Sequence, residues 1–116
     1  MQTEPMTQPL TISPSIRKVK IPFHDEFRDR MIAGTKTFTT RTKAYGHAGD
    51  VFETFGHAFL IRKVFRAKLR YVATLLFQAE GFNCLSEFMD CWKKLYPRKG
   101  YQPDQKVYVH YFTMLR

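Results

Sequence analysis

The sequence predicts an α+β domain, a small mixed β-barrel with about three flanking helices. Three observations predict it. A chain of 116 residues suits a single domain. Short β-branched runs alternate with apolar residues at helical spacing, in the order β-α-β-β-β-α-α-β. With 44% hydrophobic and 16% aromatic residues, the core fills without help from a disulfide or a metal. The chain contains no internal repeat.

Residues 1–15 (MQTEPMTQPLTISPS) are polar, proline-punctuated and aperiodic, and read as a flexible tail; residues 16–116 carry the domain. Arg17 to Pro22 alternates enough for a first short strand, closed by the proline. In HDEFRDRMIAG, Phe27, Met31 and Ile32 sit at helical spacing, with Asp25 and Glu26 in the first turn and Gly34 after the last. Thr35 to Thr42 is rich in β-branched residues and predicts a strand leaving that glycine. AYGHAGD is a turn, and VFETF a short strand ending at Gly56.

Ala58 to Tyr71 predicts a longer strand, bent or bulged. Ile61, Phe65, Ala67, Leu69 and Tyr71 are apolar at odd positions, while Arg62, Arg66, Lys68 and Arg70 are basic at even ones. A period of two places these sets on opposite faces. The basic face is either a solvated sheet surface or a stripe that meets a ligand. Residues 71–80 predict a short helix ended by Gly81. Asn83 caps another, in which Leu85, Phe88, Trp92 and Leu95 form one buried stripe stopped at Pro97. Trp92, mid-stripe, reads as core. KVYVHYFTM is the closing strand, aromatic at Tyr108 and Phe112 on one face and mixed at Val109 and Tyr111 on the other.

Cys84 and Cys91 fall in one predicted helix, about 10 Å apart along its axis, too far for a disulfide. Unpaired thiols fit a reducing compartment, so a cytoplasmic location is expected. The apolar runs are far shorter than the roughly 20 residues that span a bilayer. The N-terminus, with Glu4, Pro5, Pro9 and Pro14, lacks a secretory pattern, and no membrane partner is expected. His24, His47, His57 and His110 are scattered, and no Cys or His pair has metal-ligand spacing, so no metal is expected. There is no P-loop, dinucleotide fingerprint, nucleophile elbow or RNP-type motif, and no cofactor is expected. Nineteen Lys and Arg against ten Asp and Glu give a net charge of +9. That surplus favours a polyanionic partner, unless it serves solubility alone. The sequence carries no signal of oligomeric state.

One segment gathers chemistry. Gly34-Thr35-Lys36-Thr37-Phe38-Thr39-Thr40-Arg41 sets a lysine, hydroxyls and an arginine at a helix-to-strand junction. On a regular strand Lys36 and Thr39 would face opposite ways; if Lys36 still belongs to the turn after Gly34, the two can meet. Thr39 and Arg41, two apart, share a face. A desolvated lysine, or one beside another cation, can act as base for a nearby hydroxyl. The alternative is a threonine-rich edge strand with a solvated lysine. Arg41 either binds a ligand or pairs with Asp50.

The run Gly34-x-Lys36-Thr37-x-Thr39-x-Arg41, preceded by Phe27…Met31-Ile32-Ala33, resembles the opening signature of ASCH domains, relatives of the PUA fold. The likeness continues through Gly49-Asp50-Val51-Phe52, Ile61-x-x-Val64, Glu80-Gly81-Phe82, Ser86-Glu87-Phe88, Trp92 with Tyr96, and Val107-Tyr108-Val109…Phe112. It spans about residues 20–113. The resemblance implies a small β-barrel with flanking helices and a cleft beside the lysine-threonine segment. It also implies an RNA-binding module whose cleft takes a nucleotide or nucleobase. Lys36, Thr37, Thr39 and Arg41 would then line the cleft, with Arg62, Arg66, Lys68 and Arg70 on phosphates. The alternative partner is a free nucleoside, since a bacterial branch of N4-acetylcytidine amidohydrolases carries a similar Lys, Thr and Glu. On that pattern Lys36 assists deprotonation, Thr39 is the nucleophile and Glu80 exchanges protons with the leaving amine. Glu80 aligns only with one residue inserted before the Ser86-Glu87-Phe88 helix; the alternative is that it ends a helix at the surface. The basic surplus and N-terminal extension depart from that branch and suit a larger polyanion.

Overall fold

The computed structural model describes residues 16–116, and the tail expected over residues 1–15 lies outside them. A 3-10 turn, Asp25–Phe27, runs into helix α1, Arg28–Ala33. Acidic residues occupy the opening turns, and Gly34 closes the helix at φ 84°, the left-handed conformation that only glycine adopts freely. Strands β1 (Phe38–Arg41), β2 (Val51–Thr54) and β3 (His57–Lys68) follow. Helices α2 (Leu69–Leu75) and α3 (Leu85–Leu95) come next, then strand β4 (Lys106–Met114).

The four strands form one antiparallel sheet in the order β1-β4-β3-β2. β4 is central and buried on both faces, with Val107, Val109, His110 and Phe112 all enclosed. The sheet curls as a half-barrel between two apolar clusters. Ile21, Phe27, Met31, Phe52, Phe59, Ile61 and Phe112 fill one side. On the other, Leu69, Val72 and Ala73 of α2 and Phe88 and Trp92 of α3 pack on Val107 and Val109.

One irregularity lets a single strand serve both clusters. In β3, Ile61 pairs with Phe112 but Lys63 pairs with Tyr111, so Arg62 is an extra residue, a β-bulge. Because side chains alternate, the extra residue exchanges the faces. Phe59 and Ile61 therefore enter the first cluster, whereas Phe65 and Ala67, also at odd positions, pack against the helices.

Several expectations are corrected. Arg17 to Pro22 is no strand: only Lys18 bridges Val51, in parallel, with Val19 donating to Val51 and Val51 to Arg17. β2 is four residues long and Pro22 has no amide proton, so the ladder stops. This bridge is the parallel element of an otherwise antiparallel sheet. The long strand ends at Lys68 rather than Tyr71, because Leu69 and Arg70 donate to the Gln105 and Pro103 carbonyls and the chain turns into α2. The helix expected over 71–80 is thus Leu69–Leu75, and successive turns carry the chain to Phe82. Cys84, not Asn83, is the N-cap of α3, while the Asn83 amide donates to the Glu87 carboxylate. Within α3, Phe88 and Trp92 are buried but Leu95 is 42% exposed, at the rim of the cavity described next.

Candidate functional site

The chain after Gly34 is fastened twice. Thr35 and Lys36 both donate backbone protons to the Arg30 carbonyl at 2.9 and 3.0 Å, which keeps Lys36 in the turn before β1. Thr37 and Phe38 both donate to the Ala79 carbonyl at 2.8 and 3.0 Å, tying the turn that carries Glu80 to the start of β1. Lysine and glutamate, 44 positions apart, are brought together by these carbonyls.

They meet in a cavity of about 250 Å³ over the edge strand β1. Phe23, Phe27, Phe82, Phe88, Trp92 and Tyr96 supply aromatic walls, and Lys36, Thr39, Thr40, Arg41 and Glu80 supply the polar groups. Lys36 is 3% exposed. Its ammonium donates to the Phe38 carbonyl at 2.8 Å and the Glu80 carbonyl at 2.9 Å, and lies 3.5 Å from Glu80 Oε1. It also sits 4.8 Å from the Phe27 ring centroid, a cation–π contact. Burial holds its pKa below the usual lysine range, with Glu80 opposing the shift. The other oxygen of Glu80 accepts from Thr40 Oγ1 at 2.6 Å.

Thr39 Oγ1 accepts from Arg41 Nε at 3.1 Å, and Arg41 Nη2 donates to the Pro22 carbonyl at 2.6 Å. The Arg41 guanidinium lies between the Phe23 and Tyr45 rings, 4.9 and 5.4 Å from their centroids. Below it, His110 is fully buried. Its Nε2 accepts from the Tyr45 amide at 3.0 Å and its Nδ1 faces the Thr39 carbonyl at 3.1 Å. A carbonyl only accepts, so the proton sits on Nδ1 and the ring is neutral. Burial pulls its pKa below the ordinary histidine value, and Arg41 adds to the shift.

No protein-family model matches the sequence, and the search of curated proteins returns no match. The similarity lies in solved structures. An ASCH domain from Lactobacillus crispatus superposes with TM-score 0.68 at 12% identity, over 90% of this chain and 84% of that one. A protein from Enterococcus faecalis gives 0.64 at 16% identity, over 96% and 91%. The ASCH protein from Zymomonas mobilis gives 0.55 at 11% identity, over 86% and 71%.

The chain has the ASCH fold. At such identities the likeness carries architecture and not chemistry.

Within the ASCH fold, Lys36, Thr39, Arg41 and Glu80 line one cavity, as do Thr40 and Trp92, which the motif did not single out as site residues. Thr37 is not among the lining residues; its main chain is taken up by Ala79 and Phe112. The ammonium of Lys36 is directed at carbonyls and Glu80, and the hydroxyl on Glu80 is that of Thr40 rather than Thr39. Thr40 pairs with Val109, on the face where the helices deliver Glu80. Arg41 does not pair with Asp50. Asp50 accepts from Arg17 Nη2 at 2.6 Å, and the guanidinium holds that carboxyl below its usual range.

The four cations of the β3 region do not form one stripe. Arg62 occupies the bulge. Arg66, Lys68 and Arg70 line a shallow depression with Lys63, where Lys68 and Arg70 both approach Asp104 and Arg66 lies over Tyr108. Among the described residues no cluster of three His, Cys, Asp or Glu side chains could hold a metal, and no helix is long and apolar enough to cross a membrane.

Proposed function

We propose that this protein binds RNA by taking one nucleobase into the aromatic cavity, with Arg66 and Lys68 meeting phosphates outside. The observation that carries the reading is the composition of the cavity. Aromatic faces enclose a donor and acceptor set, Lys36, Arg41, Thr39, Thr40 and Glu80, of which all but Arg41 are buried. A base is a flat ring with hydrogen-bonding edges, and proteins read an unstacked base by aromatic contact and edge bonding. Size points the same way. Drug-sized ligands occupy about 300–1,000 Å³, so 250 Å³ suits one heterocycle. The net charge of +9 supplies long-range attraction for the strand that carries it.

The test is fluorescence anisotropy of a labelled single-stranded RNA, titrated at several salt concentrations and competed with free nucleosides. Affinity is expected to fall as salt rises, and a nucleoside is expected to displace the strand. Equal affinity for blunt duplex RNA, with no competition by any nucleoside, would remove the base pocket.

A second reading is hydrolysis of an N4-acylated cytidine. It is favoured by a buried lysine of depressed pKa sharing a cavity with a threonine whose oxygen already faces a guanidinium, a group that stabilises developing negative charge. Incubation with N4-acetylcytidine should then release cytidine and acetate, and Thr39→Val should abolish turnover while ligand affinity persists. The absence of cytidine at high enzyme concentration leaves binding as the function.

A further inference from the structure

Beside the first cavity lies a second, also of about 250 Å³, and the two share Leu95 and Tyr96 as a common wall. The chain runs from one to the other twice. Arg41 lines the first and Thr42 the second, while Trp92 at the end of α3 lines the first and Pro97 to Lys99 the second. The indole of Trp92 packs on Tyr96 with centroids 4.4 Å apart, so an aromatic surface continues toward the divide. Leu95, on the same divide, leaves 42% of its surface exposed.

Two buried side-chain polar atoms lack a hydrogen-bond partner among the described residues, and they fall one on each side. Trp92 lines the first cavity and Gln105 the second, and each atom, almost wholly enclosed, lies within the wall rather than on its surface. A buried donor or acceptor without a partner is costly and uncommon in native proteins, and a turn of the side chain that bears it would offer it to whatever enters the cavity. Arg98 and Lys99 line the second cavity, and Lys93 and Lys94 stand in the last turn of α3. None of these four cations pairs with a carboxylate among the described residues, in contrast to Lys68 and Arg70.

We propose that the second cavity is a subsite for the neighbouring nucleotide of the same RNA strand, so that the ligand is read as two adjacent residues. This rests on the base-pocket reading above and extends it. Arg98 and Lys99 meet the phosphate joining the two nucleotides, and Gln105 Oε1 accepts a proton from the second. That proton comes from a ribose 2′-hydroxyl or from an exocyclic amine of the base, both of which are donors. Trp92 Nε1 donates to an acceptor on the first base, and the Leu95–Tyr96 wall lies between the two nucleotides.

Trp92 is the sole tryptophan, so its emission reports entry into the first cavity directly. The experiment titrates that emission with the ribonucleoside 5′-monophosphates, the ribodinucleotides and the matching deoxydinucleotides. It compares wild type with Gln105→Met and with Arg98→Ala/Lys99→Ala. Monophosphates are expected to quench weakly, and the best ribodinucleotide to bind at least about tenfold more tightly, the order of one added stacked residue. Both variants should lose that gain and keep the monophosphate response. A deoxydinucleotide that loses the gain assigns the donor to the ribose, and one that keeps it assigns the donor to the base. Quenching by monophosphates with no gain from a second nucleotide, or a gain untouched by both variants, would overturn the subsite and leave the base pocket standing. No quenching by any of these probes would overturn both.

Discussion

Glu80 is held at both oxygens, by the Lys36 ammonium on one side and the Thr40 hydroxyl on the other, with all three side chains buried. Losing one partner of a buried ion pair strands the other charge, which costs more than the pair itself is worth. Lys36→Met is therefore expected to lower unfolding free energy by about 3–5 kcal/mol, and Thr40→Val by about 1–3 kcal/mol, read from urea midpoints. Lys36→Met/Glu80→Leu should recover much of the first loss, because neither charge of the pair is then left stranded. His110 gives a pH dependence. Its folded pKa is depressed, so between that value and the unfolded value of 6.5 the unfolded chain binds the extra proton. Stability from this residue is complete above pH 6.5 and declines as pH falls below it, and His110→Gln should flatten the decline in a urea series. At this scale the spacing of one segment was informative for Lys36, Thr39 and Arg41, and the family resemblance added Glu80. Lys36, Thr39, Arg41 and Glu80 were picked out and do share a cavity. Thr40 was passed over because its face depends on which strand it pairs with, a fact that resides in β4 and not in its neighbours.

The turns on either side of β1 set the position of the lysine. Gly81 has φ +97°, and a Cβ there would stand 3.0 Å from Lys36 Cβ and 3.3 Å from Arg30 Cδ. Gly34 has φ +84° with open space around it. Gly34→Ala should thus cost only the backbone strain, about 1–2 kcal/mol. Gly81→Ala adds displacement of Lys36, and should lower ligand affinity as well as melting temperature, whereas Gly34→Ala lowers melting temperature alone. Element identities were largely legible: helix α1 with its cap, the β2–β3 hairpin and the closing strand follow from local pattern. Its turn, with Phe55 at φ 55° and Gly56 at φ 78°, has the consecutive positive angles of a primed two-residue loop. The bulge at Arg62 was legible only as a break at Lys63. Hydrophobic odd positions on both sides of Lys63 conceal that the two halves of β3 face different clusters. For the same reason the basic positions, continuous in sequence, divide in space.

Across the whole molecule the positive surplus gathers in two places, the depression beside β3 and the end of α3. On the RNA-binding proposal, affinity for a single strand should fall by about 0.7 logarithmic unit per tenfold rise in salt for each phosphate neutralised. Arg66→Ala is expected to remove about one such contact, seen as a shallower slope, while Arg70→Ala, already engaged by Asp104, changes it less. The sheet order and the placing of the cavity at an edge strand could not be read from composition, because they follow from which long-range pairs form.

Phe23 and Pro22 wall the cavity, yet the segment bearing them is not part of the sheet. It is held by the Lys18–Val51 bridge and the Arg17–Asp50 pair at one end and by Arg41 on the Pro22 carbonyl at the other. Such point attachments open at far lower free energy than a strand ladder. On the base-pocket proposal, the lifetime of a bound base is governed by how often this strap lets go, and not by how deeply the ring is seated. Weakening a distant tie, as in Arg17→Ala, is then expected to shorten residence by raising the dissociation rate while leaving every group that would touch the base in place.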